Sequence, residues 1–181
     1  MTWTVFLDRD GTLNAKAPEG EYVEGPDELV MLAGAARAVA ALGAAGLRLV
    51  VVTNQRGIAR GRMTAGDVDA THDALRRELA AAGAHLDAIF VCPHEEGECD
   101  CRKPGIGLFL RAREADPGID FARSIMVGDA ASDVQAGRAA GMATVGLGRA
   151  ASDADHVAAD LEAAVPWILE RAAGPPLTAA R

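Results

Sequence analysis

Aromatic side chains are scarce in this chain, whose 181 residues include four Phe, two Trp and one Tyr. That scarcity argues against an aromatic-rich β-sandwich. With half the residues hydrophobic and Ala abundant, Ala-rich helices packed on Val/Leu/Ile strands are favoured. Long apolar runs are also missing: none approaches the roughly 18 residues that a membrane span needs. Basic residues are outnumbered 18 to 26, for a net charge of −8. A nucleic-acid surface needs a basic stripe, so neither nucleic acid nor membrane is an expected partner. A phosphorylated small molecule stays open, because a bound cation and a few placed Lys/Arg can override the average field. No leader is expected before the first strand-like run, and a cytoplasmic monomer is expected. Cysteine is rare, and all three fall between positions 92 and 101. An odd number so crowded points to metal ligation before disulfides.

What is present is alternation. Apolar runs at about 4–8, 47–53, 87–91, 123–128 and 143–147 read as strands, and helical patterns fit about 34–45, 65–82, 105–115, 132–140 and 158–171. Residues 47–52 and 125–127 look like strands buried on both faces, as in parallel sheets. The β-then-α order implies right-handed crossovers and helices on both sides of the sheet, an α/β fold. The length suits one domain, 1–172, with Gly174-Pro175-Pro176 opening a tail, 173–181, expected to be disordered. Residues 14–29, broken by Pro18, Gly20, Gly25 and Pro26, read as a mobile flap over the site.

Four segments at predicted strand ends carry chemistry. The first runs Val-Phe-Leu into Asp8-Arg-Asp10-Gly-Thr: a buried strand that ends in a carboxylate presents it at the sheet rim, where open α/β folds place ligands. Asp8 and Asp10 can hold a hard cation and divide nucleophilic and acid/base work. The second, Thr53-Asn54-Gln55, offers a hydroxyl and amides to a phosphoryl oxygen, although Thr53 taken alone reads more readily as a helix cap or strand-end hydroxyl. The third is Cys92-Pro-His94, then Cys99-Asp-Cys101. Three thiols and an imidazole supply a closed tetrahedral set for Zn²⁺ with a structural role, against the alternatives of incidental cysteines or a redox pair. This loop delivers Arg102 and Lys103, the latter a candidate phosphate clamp. The fourth, Gly-Asp129-x-x-x-Asp133, places Asp129 to complete the cation site. Asp133 fits a helix cap and a supporting role behind the site, and the two are compatible. His72, His85 and His156 lack spaced ligand partners and read as surface or half-buried, and Trp3 and Trp167 as edge packing.

Together, Asp-x-Asp-Gly-Thr, Thr-Asn-Gln, Arg-Lys-Pro and Gly-Asp-x-x-x-Asp resemble the haloacid dehalogenase (HAD) superfamily of phosphatases, over about residues 4–148 and in the family's order. The resemblance implies a Rossmann-like sheet of order 5-4-1-2-3. It casts Asp8 as the nucleophile that forms an aspartyl-phosphate and Asp10 as the acid/base. Mg²⁺ would be held by Asp8, the Asp10 carbonyl and Asp129, with Thr53 and Lys103 on the phosphoryl group. The zinc loop and the lack of an inserted cap domain point to the subgroup that holds heptose 1,7-bisphosphate 7-phosphatases and histidinol-phosphate phosphatases. Thr53-Asn54-Gln55-Arg56-Gly57-Ile58-Ala59-Arg60-Gly61 is similar to the heptose enzymes, with Arg56 where they usually carry Ser. That reading gives Glu19, Tyr22, Asn54, Gln55, Arg56 and Arg102 to the sugar and its distal phosphate, in nucleotide-activated heptose synthesis.

Overall fold

The computed structural model describes residues 2–177. Six parallel strands form one sheet: β1 Thr4–Leu7, β2 Arg48–Asn54, β3 Ala88–Cys92, β4 Ser124–Gly128, β5 Ala143–Leu147 and β6 His156–Ala158. Their order is β3-β2-β1-β4-β5-β6, so the expected 5-4-1-2-3 arrangement is present with one further strand outside β5. That strand corrects the predicted helix 158–171. His156–Ala158 pair with residues 145–147, and the helix begins at Leu161, behind an Asp160 carboxylate that accepts from the Ala163 N–H at 2.8 Å. A three-residue edge strand is too short to leave a readable period in the sequence.

Alternation along the strands sorts side chains between two cores. Val5, Leu7, Leu49, Val51, Ile125 and Val127 share one cluster with Val39 and Leu42 of α1 (Ala35–Ala44), Leu75 and Leu79 of α2 (Ala65–Ala81), and Ile168 of α5 (Leu161–Ala173). Phe6, Val50, Val52 and Met126 share the other with Leu108 and Phe109 of α3 (Gly107–Ala115) and Ala136 of α4 (Ala131–Ala139). Phe6, Phe109 and Phe121 meet edge to face, with centroids 5.0 to 6.5 Å apart. Trp3 and Trp167 pack within the fold, under Arg171 and against the His156 ring.

Packing holds parts of two of these segments. Within the tail expected from 173, Ala173 closes α5, and the Leu177 N–H donates to the Ala122 carbonyl at 2.8 Å. Its residues 178–181 lie outside the described residues. In the flap, Val23 is buried and Arg62 pairs with Glu24 at 2.8 Å, which ties the segment to the loop after β2. None of the described helices is long and apolar enough to cross a membrane.

Candidate active site

The loops after β1, β2, β3 and β4 meet at the C-terminal edge of the sheet. At their centre lies the Lys103 ammonium, 3% exposed. It stands 2.8 Å from Asp8 Oδ1 and 2.7 Å from Asp133 Oδ1, and it donates to the Val52 carbonyl at 2.7 Å. Burial works against the lysine's charge, but Asp8 and Asp133 outweigh it and raise its pKa. Asp8 itself is pushed up to about 7, by burial first, with Lys103 opposing and Asp133 and Asp10 adding to the rise. The site therefore concentrates more negative charge than Lys103 alone can balance.

The acids fit a divalent cation. Asp8, Asp129 and Asp133 each offer an oxygen, all within 4.8 Å of one another. Asp129 Oδ1 is buried with no hydrogen-bond partner, the condition of an oxygen that awaits a metal. Burial raises the Asp129 pKa, against an ion pair with Lys16 from the flap. Gly11, at φ 88°, makes the turn that lets Asp129 approach: a Cβ there would lie 2.3 Å from Asp129 Oδ2. Gly128 leaves room for the return of Asp133, which also accepts from the Ala130 N–H at 3.0 Å and so caps α4.

Asp10 is held by its neighbours. The Arg9 guanidinium, with no exposure, grips its carboxylate through Nε at 3.1 Å and Nη2 at 2.9 and 3.0 Å. Gln55 Nε2 donates to Asp10 Oδ2 and to Thr53 Oγ1, both at 2.8 Å, and Asn14 Nδ2 donates to Asp10 Oδ1 at 2.8 Å. Because Thr53 Oγ1 accepts here, its own O–H stays available to another acceptor. Asn54 makes a reciprocal pair with the Lys103 backbone, at 3.1 Å to the carbonyl and 3.0 Å from the N–H. Both amide side chains expected on substrate are thus engaged with Lys103 and Asp10.

The remaining expected residues are spread around this centre. Arg102 Nη1 is buried without a partner, and the residue lines a cavity of about 420 Å³ with Asn54, Lys103 and Ser132. Arg56 lies 3.4 Å from Glu95 Oε1, and Arg60 holds Glu95 Oε2 at 2.6 Å. That bond to Arg60 keeps the Glu95 carboxyl down at about 2. Tyr22 Oη is buried and unpartnered, whereas Glu19 is exposed.

Cys92, His94, Cys99 and Cys101 converge as one group. Their sulfurs lie 3.3 to 3.6 Å apart, and His94 Nδ1 is 3.3 Å from Cys101 and 3.7 Å from Cys92. Four ligands around a zinc at about 2.3 Å would stand about 3.8 Å apart at full tetrahedral symmetry, close to this spacing. Burial and then the neighbouring thiols push Cys101 up to about 12. Burial also acts on Cys99, but hydrogen bonds from Cys101, the Arg102 backbone and Cys92 bring it down to about 7. A cation is what such a crowd of sulfurs needs in order to ionise together.

Arg9, Asn14, Lys16 and His72 were not among the expected site residues. His72 is corrected from surface or half-buried to 3% exposed. Its spacing from Val68, Leu75 and Leu79 on the buried stripe of α2 is the signal that could have found it.

Comparison with known proteins agrees with this geometry. A family model described as HAD-hydrolase-like matches residues 100–171. The D-glycero-alpha-D-manno-heptose-1,7-bisphosphate 7-phosphatase of Mycobacterium bovis is 41% identical over 156 residues, 83% of this chain and 82% of the relative. The D-glycero-beta-D-manno-heptose-1,7-bisphosphate 7-phosphatase of Escherichia coli O6:H1 is 39% identical over 180 residues, 95% of this chain and 91% of the relative. The crystal structure of D,D-heptose 1,7-bisphosphate phosphatase from B. bronchiseptica, complexed with magnesium and phosphate, aligns at a TM-score of 0.85 and 34% identity, covering 94% of this chain and 99% of that one. With acids, lysine and sheet order all in place, the chain belongs to the heptose-bisphosphate phosphatase family of HAD hydrolases.

Proposed function

We propose that this chain removes the 7-phosphate of D-glycero-D-manno-heptose 1,7-bisphosphate and leaves the anomeric phosphate for later nucleotide activation. The observation that carries the chemistry is the buried Asp8 carboxylate held 2.8 Å from Lys103 Nζ at the strand ends. A carboxylate attacks a phosphate only where positive charge offsets the repulsion. Asp8 forms a bond to phosphorus as the bond from phosphorus to the sugar oxygen breaks, and Asp10 gives that oxygen a proton. Asp10 then takes a proton from water as it attacks the same phosphorus, which releases phosphate and restores Asp8. Lys103 and the Thr53 hydroxyl hold phosphoryl oxygens, and Gln55 and Asn54 keep Asp10 and Lys103 in place. Arg102, with its unpartnered buried nitrogen, receives the distal phosphate. Arg56 has its charge countered by Glu95 and joins Tyr22 and Glu19 at the rim.

Mg²⁺ would be held by Asp8, the Asp10 carbonyl and Asp129, and when bound it supplies charge neutralisation at the phosphoryl group. Zn²⁺ on Cys92, His94, Cys99 and Cys101 would staple the loop that delivers Arg102 and Lys103. A soluble sugar substrate and a reduced thiol cluster suit a cytoplasmic enzyme.

The specificity is tested with purified protein against both anomers of the bisphosphate and against histidinol phosphate. We expect kcat/KM to favour the better bisphosphate anomer by at least about 100-fold. Comparable constants would remove the substrate assignment.

Metal binding should depend on pH. Asp8 lies near pKa 7 in the metal-free fold, so below that value a cation must displace its proton. Affinity for Mg²⁺ should rise about tenfold per pH unit below about 7 and then level off. The same raised pKa makes the Asp8 contribution to metal-free stability fall as pH climbs from the ordinary carboxylate value through about 7. Calorimetric titration with Mg²⁺ between about pH 5.5 and 8 checks this, and a flat affinity contradicts it.

A further inference from the structure

We propose that His72 is a positioning residue for the reaction: it orients Arg9, and Arg9 in turn orients the Asp10 carboxyl toward the leaving oxygen. The inference rests on the acid/base role given to Asp10 above. The Arg9 guanidinium has no exposure and can only donate, so each of its N–H groups needs an acceptor within the fold. Nε and Nη2 are engaged by Asp10, and Nη2 also by Gln55 Oε1 at 3.3 Å. For Nη1 the acceptor is His72 Nε2, at 3.3 Å, which assigns the ring proton to Nδ1. Burial first and then the Arg9 charge lower the His72 pKa to about 4, so the ring stays neutral and keeps the lone pair that this contact uses.

His72 reaches this place because α2 is fixed at its start. The Thr64 side chain and Asp67 exchange hydrogen bonds with each other's backbone N–H, which closes the first turn. The helix then buries Val68, Thr71, His72, Leu75 and Leu79. A solvated arginine could wander between acceptors, whereas this one is held at both ends. Its near end carries Asp10, whose side chain keeps 24% exposure toward the open edge of the site. A guanidinium that has lost one of its acceptors tilts toward another, and Asp10 tilts with it.

The experiment compares two phosphoryl donors that differ in their need for a proton. The sugar alkoxide needs one as it leaves, whereas 4-nitrophenolate does not. His72→Leu should lower kcat/KM for the heptose bisphosphate by about 30-fold or more, and for 4-nitrophenyl phosphate by no more than about threefold. KM for the bisphosphate should stay within about twofold, since His72 does not touch substrate. His72→Gln, whose Oε1 can accept from Arg9, should return both constants to within about threefold of the parent. Equal losses on the two substrates, no loss on either, or failure of Gln to rescue a folded Leu variant's defect would overturn the proposal. If the parent enzyme hydrolyses 4-nitrophenyl phosphate but not the bisphosphate, the substrate assignment fails by itself. The same comparison then runs on an alkyl phosphate that the parent accepts. A parent inert to every phosphate ester overturns both.

Discussion

Asp8→Asn abolishes turnover, lowering kcat by at least about 10⁴-fold, while the protein stays folded. Loss of a nucleophile within a set of groups that act together costs on this order in kcat. The amide cannot form the aspartyl-phosphate, so neither more substrate nor more metal compensates. A merely structural acid would behave differently. Its loss would lower the melting temperature and take activity with it, whereas Asp8 is an acid the metal-free fold carries at a cost. Burial raises its pKa to about 7, so above that value the fold holds an ionised carboxylate in a site that disfavours it. Lys103 retains Asp133 at 2.7 Å after the substitution, so its charge is not left alone. Metal-free Asp8→Asn protein at about pH 8 should therefore match or exceed the parent's melting temperature while phosphate release disappears. Retained phosphate release on a clean Asn background would falsify covalent catalysis at this position.

The strands and the acids at their ends were legible because both are local signals. Residues 49–52 and 125–127 are apolar without alternation, as expected of strands covered on both faces, and Asp8 and Asp129 directly follow β1 and β4. What stayed hidden depends on side chains that meet from afar. Arg9 carries no local sign of its role, because its partner His72 lies 63 residues away. Asn54 and Gln55 read as donors to phosphate. Their amides instead engage the Lys103 backbone and the Asp10 carboxylate, and nothing within three residues of them indicates that. Lys16, set in an irregular polar stretch, carries no periodic mark of its pairing with Asp129. The β6 strand was missed for the converse reason: it is local but only three residues long.

Removing the proposed zinc ligand Cys101, as Cys101→Ser, should lower both the melting temperature and kcat, with KM for the bisphosphate rising as well. Cys101 and Cys92 are fully buried and pack in the same cluster as Leu108 and Phe109 at the start of α3. The loop between them, residues 93–100, contributes no buried hydrophobic side chain, so a metal at the cluster would supply its order. If the change costs about 4 kcal/mol, a domain of this size should melt about 10 °C lower. Lys103 stands two residues after Cys101, and its ammonium must stay near 2.8 Å from Asp8 to offset charge on the phosphoryl group. A shift of about 1 Å there costs about 100-fold in rate, which sets the expected fall in kcat. Arg102 moves with the same loop, so binding of the distal phosphate weakens in parallel. A purely stabilising zinc would lower the melting temperature and leave both constants unchanged at a temperature where the protein is folded. The prediction also requires about one zinc per chain in the purified parent protein, measured by elemental analysis. Chelation should reproduce the variant's losses, and zinc should reverse them in the parent but not in Cys101→Ser, because only the parent retains all four ligands.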